Sequence, residues 1–251
     1  MKETIYTIPL TEAFEAKTEC PFCVIHNKLE QEAISFTLGN SYMQSDFRDI
    51  TNKTGFCGHH YKMLYDYGNR LGLGLILSTH YKSLYNSLDK LLNKNALPKS
   101  TFIEKLRGIQ PQATTINEAI DLSINSCFIC NKMEADMVRY ISTFFYLYTS
   151  SSDFQQIFSQ SQGFCLLHFN EVLQQAPRYL NDKQKEEFYV QSKQMLLKSI
   201  ERIQGEIEWF VDKNDYANAD KPWKNSKDAI SRGIQKIAGV CPDIPVYKET
   251  K

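Results

Sequence analysis

Cys20-Pro21-Phe22-Cys23 sets two thiols three positions apart, and Cys57-Gly58-His59-His60 sets a thiol and an imidazole at the same spacing. In a first helical turn, side chains so spaced lie on one face. Both patterns return, as Cys127-Phe128-Ile129-Cys130 and Cys165-Leu166-Leu167-His168. Three thiols with one imidazole form a donor set suited to tetrahedral zinc, with Zn–S near about 2.3 Å and Zn–N near about 2.0–2.1 Å. Helix starts favour thiolates as well, because unpaired amides and the helix dipole point toward them.

Taken in chain order, the expected sites are Cys20, Cys23, Cys57 and His60, then Cys127, Cys130, Cys165 and His168. His60 is chosen over His59 because it is the residue that matches His168. Four filled coordination positions indicate structural zinc rather than hydrolytic zinc, which keeps a position open for water. Three thiolates and a neutral imidazole leave an excess negative charge around Zn²⁺, which amides or a nearby cation should offset. A redox-dithiol reading lacks a thioredoxin-like strand pattern. Iron–sulfur ligation fits a mixed Cys/His set less simply.

The chain reads as an internal duplication. Cys20 to Cys127 and Cys23 to Cys130 are each 107 residues, whereas Cys57 to Cys165 and His60 to His168 are each 108. Asp46-Phe47 matches Asp153-Phe154, Ile50 matches Ile157, and Gly55-Phe56-Cys57 matches Gly163-Phe164-Cys165. Glu30 and Glu134 fall at similar places beyond their CxxC pairs. They are candidates for charge pairing, and for a carboxylate pair only if the fold makes them converge.

The elements that must position these residues are helical. Periodicity predicts helices over Pro21–Leu38, about Asp46–Thr51, from Cys57 through Leu71, and Tyr81–Leu92. In the second copy it predicts helices from Cys127 or Phe128 to Tyr148, from Cys165 to Pro177, and over Asp182–Phe210. Ser226 is expected to cap a last helix ending at Gly239. Thr4–Ile8 reads as an extended arm stopped by Pro9, with Thr11 capping a turn after it. Leu84, Tyr85, Leu88, Leu91 and Leu92 are expected to face inward. Gly72 and Gly74 read as contact points between packed helices, since no strand or Walker lysine supports a phosphate loop.

At 251 residues the chain can bury a core without disulfides. Its zero formal net charge argues against broad attraction to nucleic acid or anionic lipid. No apolar run is long enough for a membrane span. With no export signal and thiols reserved for metal, the expected home is cytoplasmic. Cys241 is left over as a free thiol, and His26 and His80 read as packing residues. Trp209, Phe210, Tyr216 and Trp223 are expected to close the carboxy-terminal core.

The duplicated CPxC…GFCxxH pattern, Trp209-Phe210-Val211-Asp212-Lys213-Asn214-Asp215-Tyr216, and the segment from Ser226 to Gly239 together resemble an uncharacterised bacterial family of domain-of-unknown-function proteins. The resemblance covers most of the chain and implies a helical zinc-binding protein, without an activity to transfer. The second pair, Cys127-Phe128-Ile129-Cys130, lacks the proline of the first but loses no ligand.

The expectation is therefore an all-α protein of two imperfect helical repeats, each stapled by a Cys3His zinc site, plus a carboxy-terminal helical segment. Its parts are residues 1–95, a connector at 96–120, residues 121–211, and an extension at 212–251. The expected cofactors are two structural zinc ions. The expected role is a non-catalytic binding or scaffold protein for a protein, peptide or small molecule. The alternatives are a small-molecule enzyme with a pocket between the repeats and a zinc-dependent regulator that touches nucleic acid.

Overall fold

The structure, a computed structural model, describes residues 5–94 and 115–244. Among these residues every regular element is helical and there is no strand. The helices are α1 (Thr7–Glu15), α2 (Pro21–Leu38), α3 (Ser45–Thr54), α4 (Gly58–Asp66), α5 (Arg70–Lys94), α6 (Thr115–Asn125), α7 (Phe128–Ser150), α8 (Ser152–Gln160), α9 (Leu166–Tyr179), α10 (Asp182–Lys213) and α11 (Ala229–Ala238). The sequence also predicts a brief helix at Thr101–Arg107 ended by Gly108; it and most of the 96–120 connector lie outside the described residues.

The duplication is visible in the backbone. A long helix starts at each CxxC (α2, α7), a short one follows (α3, α8), and a third begins immediately after the cysteine of each CxxH (α4, α9). Gly55 and Gly163 both adopt positive φ, 58° and 71°, which glycine tolerates without steric cost. Phe56 and Phe164 are buried after them. Cys57 and Cys165 then cap their helices in nearly identical extended conformations, φ −71°, ψ 165° and φ −71°, ψ 167°.

The chain divides into two compact units, and neither coincides with a sequence repeat. One comprises Met1–Leu29 and Glu134–Pro245; the other contains Glu30–Met133. The division falls within α2 and within α7, so each unit holds the start of one long helix and the end of the other.

The first unit is built on an aromatic core. Phe144 of α7 is fully buried. Its ring stacks on Phe14 of α1 at 5.5 Å and meets Phe158 of α8 and Phe164 edge-on at 5.3 and 5.6 Å. Phe22 of α2 stacks on Phe164 at 5.4 Å. Phe188 joins from α10, whose start is fixed by a capping box between Asn181 and Gln184. The extension carries Trp223, whose ring lies 5.7 Å from Phe210, while Tyr216 is 92 % exposed and closes no core.

In the second unit, Ala33, Ile34 and Leu38 from the end of α2 are buried, as are Phe47 of α3, Leu64 of α4, and Leu73 and Ile76 of α5. The helix expected from Cys57 through Leu71 is interrupted at Gly68, where φ reaches 98°. A new helix then starts under an Asn69 cap, with Gly72 N–H donating to Asn69 Oδ1 at 2.9 Å. Gly72 is needed for that cap, since a Cβ there would lie 2.7 Å from Asn69 Nδ2, whereas Gly74 faces open space. The helix-contact reading therefore gives way to a capping one at Gly72, and Gly74 meets no neighbour. Tyr85 and Leu92, expected inward, are 70 % and 51 % exposed. At the amino terminus, α1 begins at Thr7 and includes Pro9 in its first turn, where a missing N–H costs nothing. Thr11 is thus inside the helix and does not cap it.

Phe144 shares its burial with rings from four other helices and with Phe164 of the segment before α9, so truncation cannot be repaired locally. Phe144→Ala should lower unfolding free energy by about 3–5 kcal/mol, read from urea melts followed by circular dichroism. A loss below about 1 kcal/mol would mean that the aromatic cluster is not the unit's core.

Candidate metal centres

Each ligand-bearing residue sits at a helix start. Cys20 directly precedes α2, Cys127 directly precedes α7, and Cys57 and Cys165 are the N-caps of α4 and α9. Cys23, His60, Cys130 and His168 follow one turn in, on the same faces. Amide donors reach the sulfurs: Cys130 N–H points to Cys127 Sγ and His168 N–H to Cys165 Sγ, both at 3.5 Å.

The structure gathers all eight residues into two quartets, but not the expected ones. Cys20 and Cys23 meet Cys165 and His168; Cys57 and His60 meet Cys127 and Cys130. In each quartet the ligand atoms lie within 4.8 Å of one another. The pairing of Cys20 and Cys23 with Cys57 and His60, and of Cys127 and Cys130 with Cys165 and His168, is therefore corrected. Each site takes its CxxC from one repeat and its CxxH from the other.

Helix length favours the exchange and packing fixes it. The 23 residues of α7 carry the chain about 34 Å from Cys127, and the nine residues of α8 return it by only about 14 Å. Phe164 then packs on Phe144, in the last third of α7, with ring centroids 5.6 Å apart, which holds Cys165 toward that end. The 18 residues of α2 likewise outreach the ten of α3, about 27 Å against about 15 Å.

In the buried site, His168 Nδ1 lies 3.4, 3.5 and 3.1 Å from the sulfurs of Cys20, Cys23 and Cys165. Cys23 and Cys165 sulfurs are 3.6 Å apart. In the surface site, His60 Nδ1 lies 3.2, 3.3 and 3.4 Å from Cys57, Cys127 and Cys130, and Cys57 and Cys130 sulfurs are 3.8 Å apart. Both histidines thus turn Nδ1 toward the thiols. The two sites differ in access, since all four ligands of the first are buried whereas Cys130 is exposed.

Their surroundings differ too. His60 Nε2 lies 3.2 Å from Glu30 Oε1, the arrangement by which a carboxylate orients a ligating imidazole. Exposed His59 shares that oxygen at 3.0 Å. Burial resists ionisation of Glu30, but the bonds from His60 and His59 outweigh it and hold the carboxyl below its usual range. His168 Nε2, in contrast, is buried without a hydrogen-bond partner. Glu134 makes no such pairing with His168, so the two acidic residues have different surroundings.

Protons compete with a metal for these donors. Burial opposes charge on both histidines, yet bonds to Cys127 and Glu30 hold His60 up to about 10, and bonds to Cys165 and Cys20 hold His168 up to about 10. Burial and the neighbouring Cys127 push Cys130 up to about 12. Although burial resists it, His60 pulls Cys127 down to about 6.

Residues outside both motifs complete the buried site. Gly239, at φ 70°, turns the end of α11 over it, with its carbonyl oxygen 3.5 Å from Cys23 Sγ. Cys241 follows, and a hydrogen bond with Cys23 draws its thiol down to about 7 against the effect of burial. Its spacing from the other cysteines gives no hint of this contact. Lys236, only 2 % exposed, donates to the carbonyl oxygens of Glu19, Gln162 and Phe164 at 2.6, 2.9 and 3.4 Å. It thereby ties the segment before Cys20 to the segment before Cys165, and supplies the cation expected near the thiolates. Burial disfavours its charge, which Glu19 and Cys20 support. His26 packs edge-on against His168 with ring centroids 6.0 Å apart. His80 packs under Gly55, where a Cβ would come within 3.0 Å of its ring.

The chain belongs to the Family of unknown function (DUF6062), which matches residues 1–244. Comparison with curated proteins and with solved structures gives no match.

The exchanged pairing has a direct consequence for double variants. Cys20→Ser with Cys165→Ser removes two ligands from one quartet and should leave about one tightly held ion per chain. Cys20→Ser with Cys57→Ser takes a ligand from each quartet and should make both ions labile to a chelator. Metal analysis after mild chelation reads the difference. The opposite outcome would restore the pairing within repeats.

Proposed function

Proceeding from membership of this family, we propose that the protein is a non-catalytic binding or scaffold module whose two units are each stapled by a structural zinc ion. The observation that carries this reading is the complete Cys3His donor set in each unit, with sulfur–sulfur separations of 3.6 and 3.8 Å. Those separations match the edge of a tetrahedron with bonds of about 2.3 Å. Soft thiolates with one imidazole favour zinc over magnesium or calcium. Four protein donors per ion leave no position for an activated water, which supports a structural rather than a hydrolytic role.

The ions would join helix starts that are distant in sequence: Cys20 and Cys165 in one case, Cys57 and Cys127 in the other. Lys236 offsets charge at the buried site, and Glu30 orients His60 at the surface site. Thiolate ligands suit a reducing compartment, so a cytoplasmic location is part of the same proposal. Among the described residues no helix is long and apolar enough to cross a membrane. The zero formal charge favours a protein, peptide or small-molecule ligand over nucleic acid.

Protein purified without chelators should carry two zinc ions per chain, one for each quartet. Zinc binding at pH 7 should release protons, because His60 stands at about 10 and Cys130 at about 12 before ligation. Affinity should accordingly rise with pH, and calorimetric enthalpies should depend on the ionisation heat of the buffer. Folded protein with less than about one zinc per chain, melting identically with and without a strong chelator, would contradict the proposal.

A further inference from the structure

Behind the buried site lies a polar cleft of about 440 Å³, within the range of small-molecule pockets. Its floor is an ion-pair network. Glu19, 4 % exposed, accepts two bonds from Arg202 Nη2, both at 2.7 Å, and one from Arg232 Nη1 at 3.3 Å. Glu206 is shared by the same two arginines, and Asp228 pairs with Arg232 at 2.9 Å. Lys236 adds a third cation 3.5 Å from Glu19, so the three carboxylates lining the cleft meet three cations. Donors are in excess even within the network, since Arg202 Nε is buried with no acceptor.

The rim adds three lysines. Lys17 and Lys227 line the cleft, and neither has an ion pair or side-chain hydrogen bond among the described residues. Lys224 lines it as well, with its ammonium held 4.3 Å from the centroid of the Trp209 ring. Lys17 at φ 51° and Lys224 at φ 53° are the two non-glycine residues at positive φ among the described residues. Side chains take up that conformation at a cost that glycine avoids, and such outliers gather where a ligand is held. Here both outliers are lysines on one cleft.

We propose that this cleft binds a small phosphate-bearing anion, with Lys17, Lys224 and Lys227 contacting the phosphate oxygens above the Arg202–Glu19–Arg232 floor. Lysine ammoniums are compact charges that suit phosphate, and the ion-paired arginines form the floor beneath them. Glu19 directly precedes Cys20, so the cleft is anchored on the same segment as the buried metal centre. The inference deepens the binding-module reading and names its ligand class.

Isothermal titration calorimetry at constant ionic strength tests it, with inorganic phosphate and glucose 6-phosphate as probes and chloride as control. The zinc content of each sample is measured alongside, so failure of the metal reading is seen separately. Saturable binding of either probe is expected. The stronger binder tells free phosphate from a phosphomonoester. The variant Lys17→Gly with Lys227→Gln should weaken binding by about tenfold or more, while zinc content and helical circular dichroism remain unchanged. Glycine keeps the backbone conformation of residue 17 accessible, so this variant tests charge rather than folding. Exposed Lys183→Gln, on the first turn of α10, should leave binding intact. No saturable heat up to roughly millimolar probe, or undiminished binding in the double variant, would overturn the proposal.

Discussion

A helix cannot bring its own two ends together, and the arrangement of this protein follows from that constraint. Each repeat begins with a CxxC, continues along a long helix, and reaches its CxxH only after a shorter one. The rigid rise of α7 carries Cys165 and His168 away from Cys127 and Cys130. The ligands they lack are at the start of α2. The same holds in the other direction for Cys57 and His60. Duplication therefore supplies more than a second copy: each copy provides the half-site that the other requires.

Closing the sites across the repeats leaves the first compact unit discontinuous in sequence. The aromatic core around Phe144 draws on α1 and the start of α2 together with α7, α8 and α10. The buried quartet and this core reinforce each other, since Phe22 and Phe164 stack beside the ligands that flank them. Lys236 adds a polar tie between the same two segments. A buried ammonium with three carbonyl partners and a carboxylate is stable only while those segments remain in place, so it depends on the ligand geometry it supports.

The eight residues that converge were legible because CxxC and CxxH mark donors by type and spacing alone, and the repeat offset chose His60 over His59. The local geometry was legible too. The apolar period marked the helices from Pro21 and from Asp182, although the Asn181–Gln184 capping box that opens α10 emerged only from the structure. Which half-sites meet was obscured, because neighbours in sequence suggest neighbours in space until helix lengths are compared. The interruption after α4 was missed since Gly68 is outweighed by the apolar pattern around it. Cys241 and Lys236 gave no signal: a lone thiol and a surface-looking lysine acquire roles only through the path of α11. Tyr85 and Leu92 fit a helical stripe, yet both stand exposed on α5.

The decisive measurement is a crystal structure with anomalous difference maps collected on either side of the zinc absorption edge. The account predicts two edge-dependent peaks, one bonded to Cys20, Cys23, Cys165 and His168 and the other to Cys57, His60, Cys127 and Cys130. A peak bonded jointly to Cys20, Cys23, Cys57 and His60, or the absence of edge-dependent density at both quartets in fully metallated protein, would contradict it.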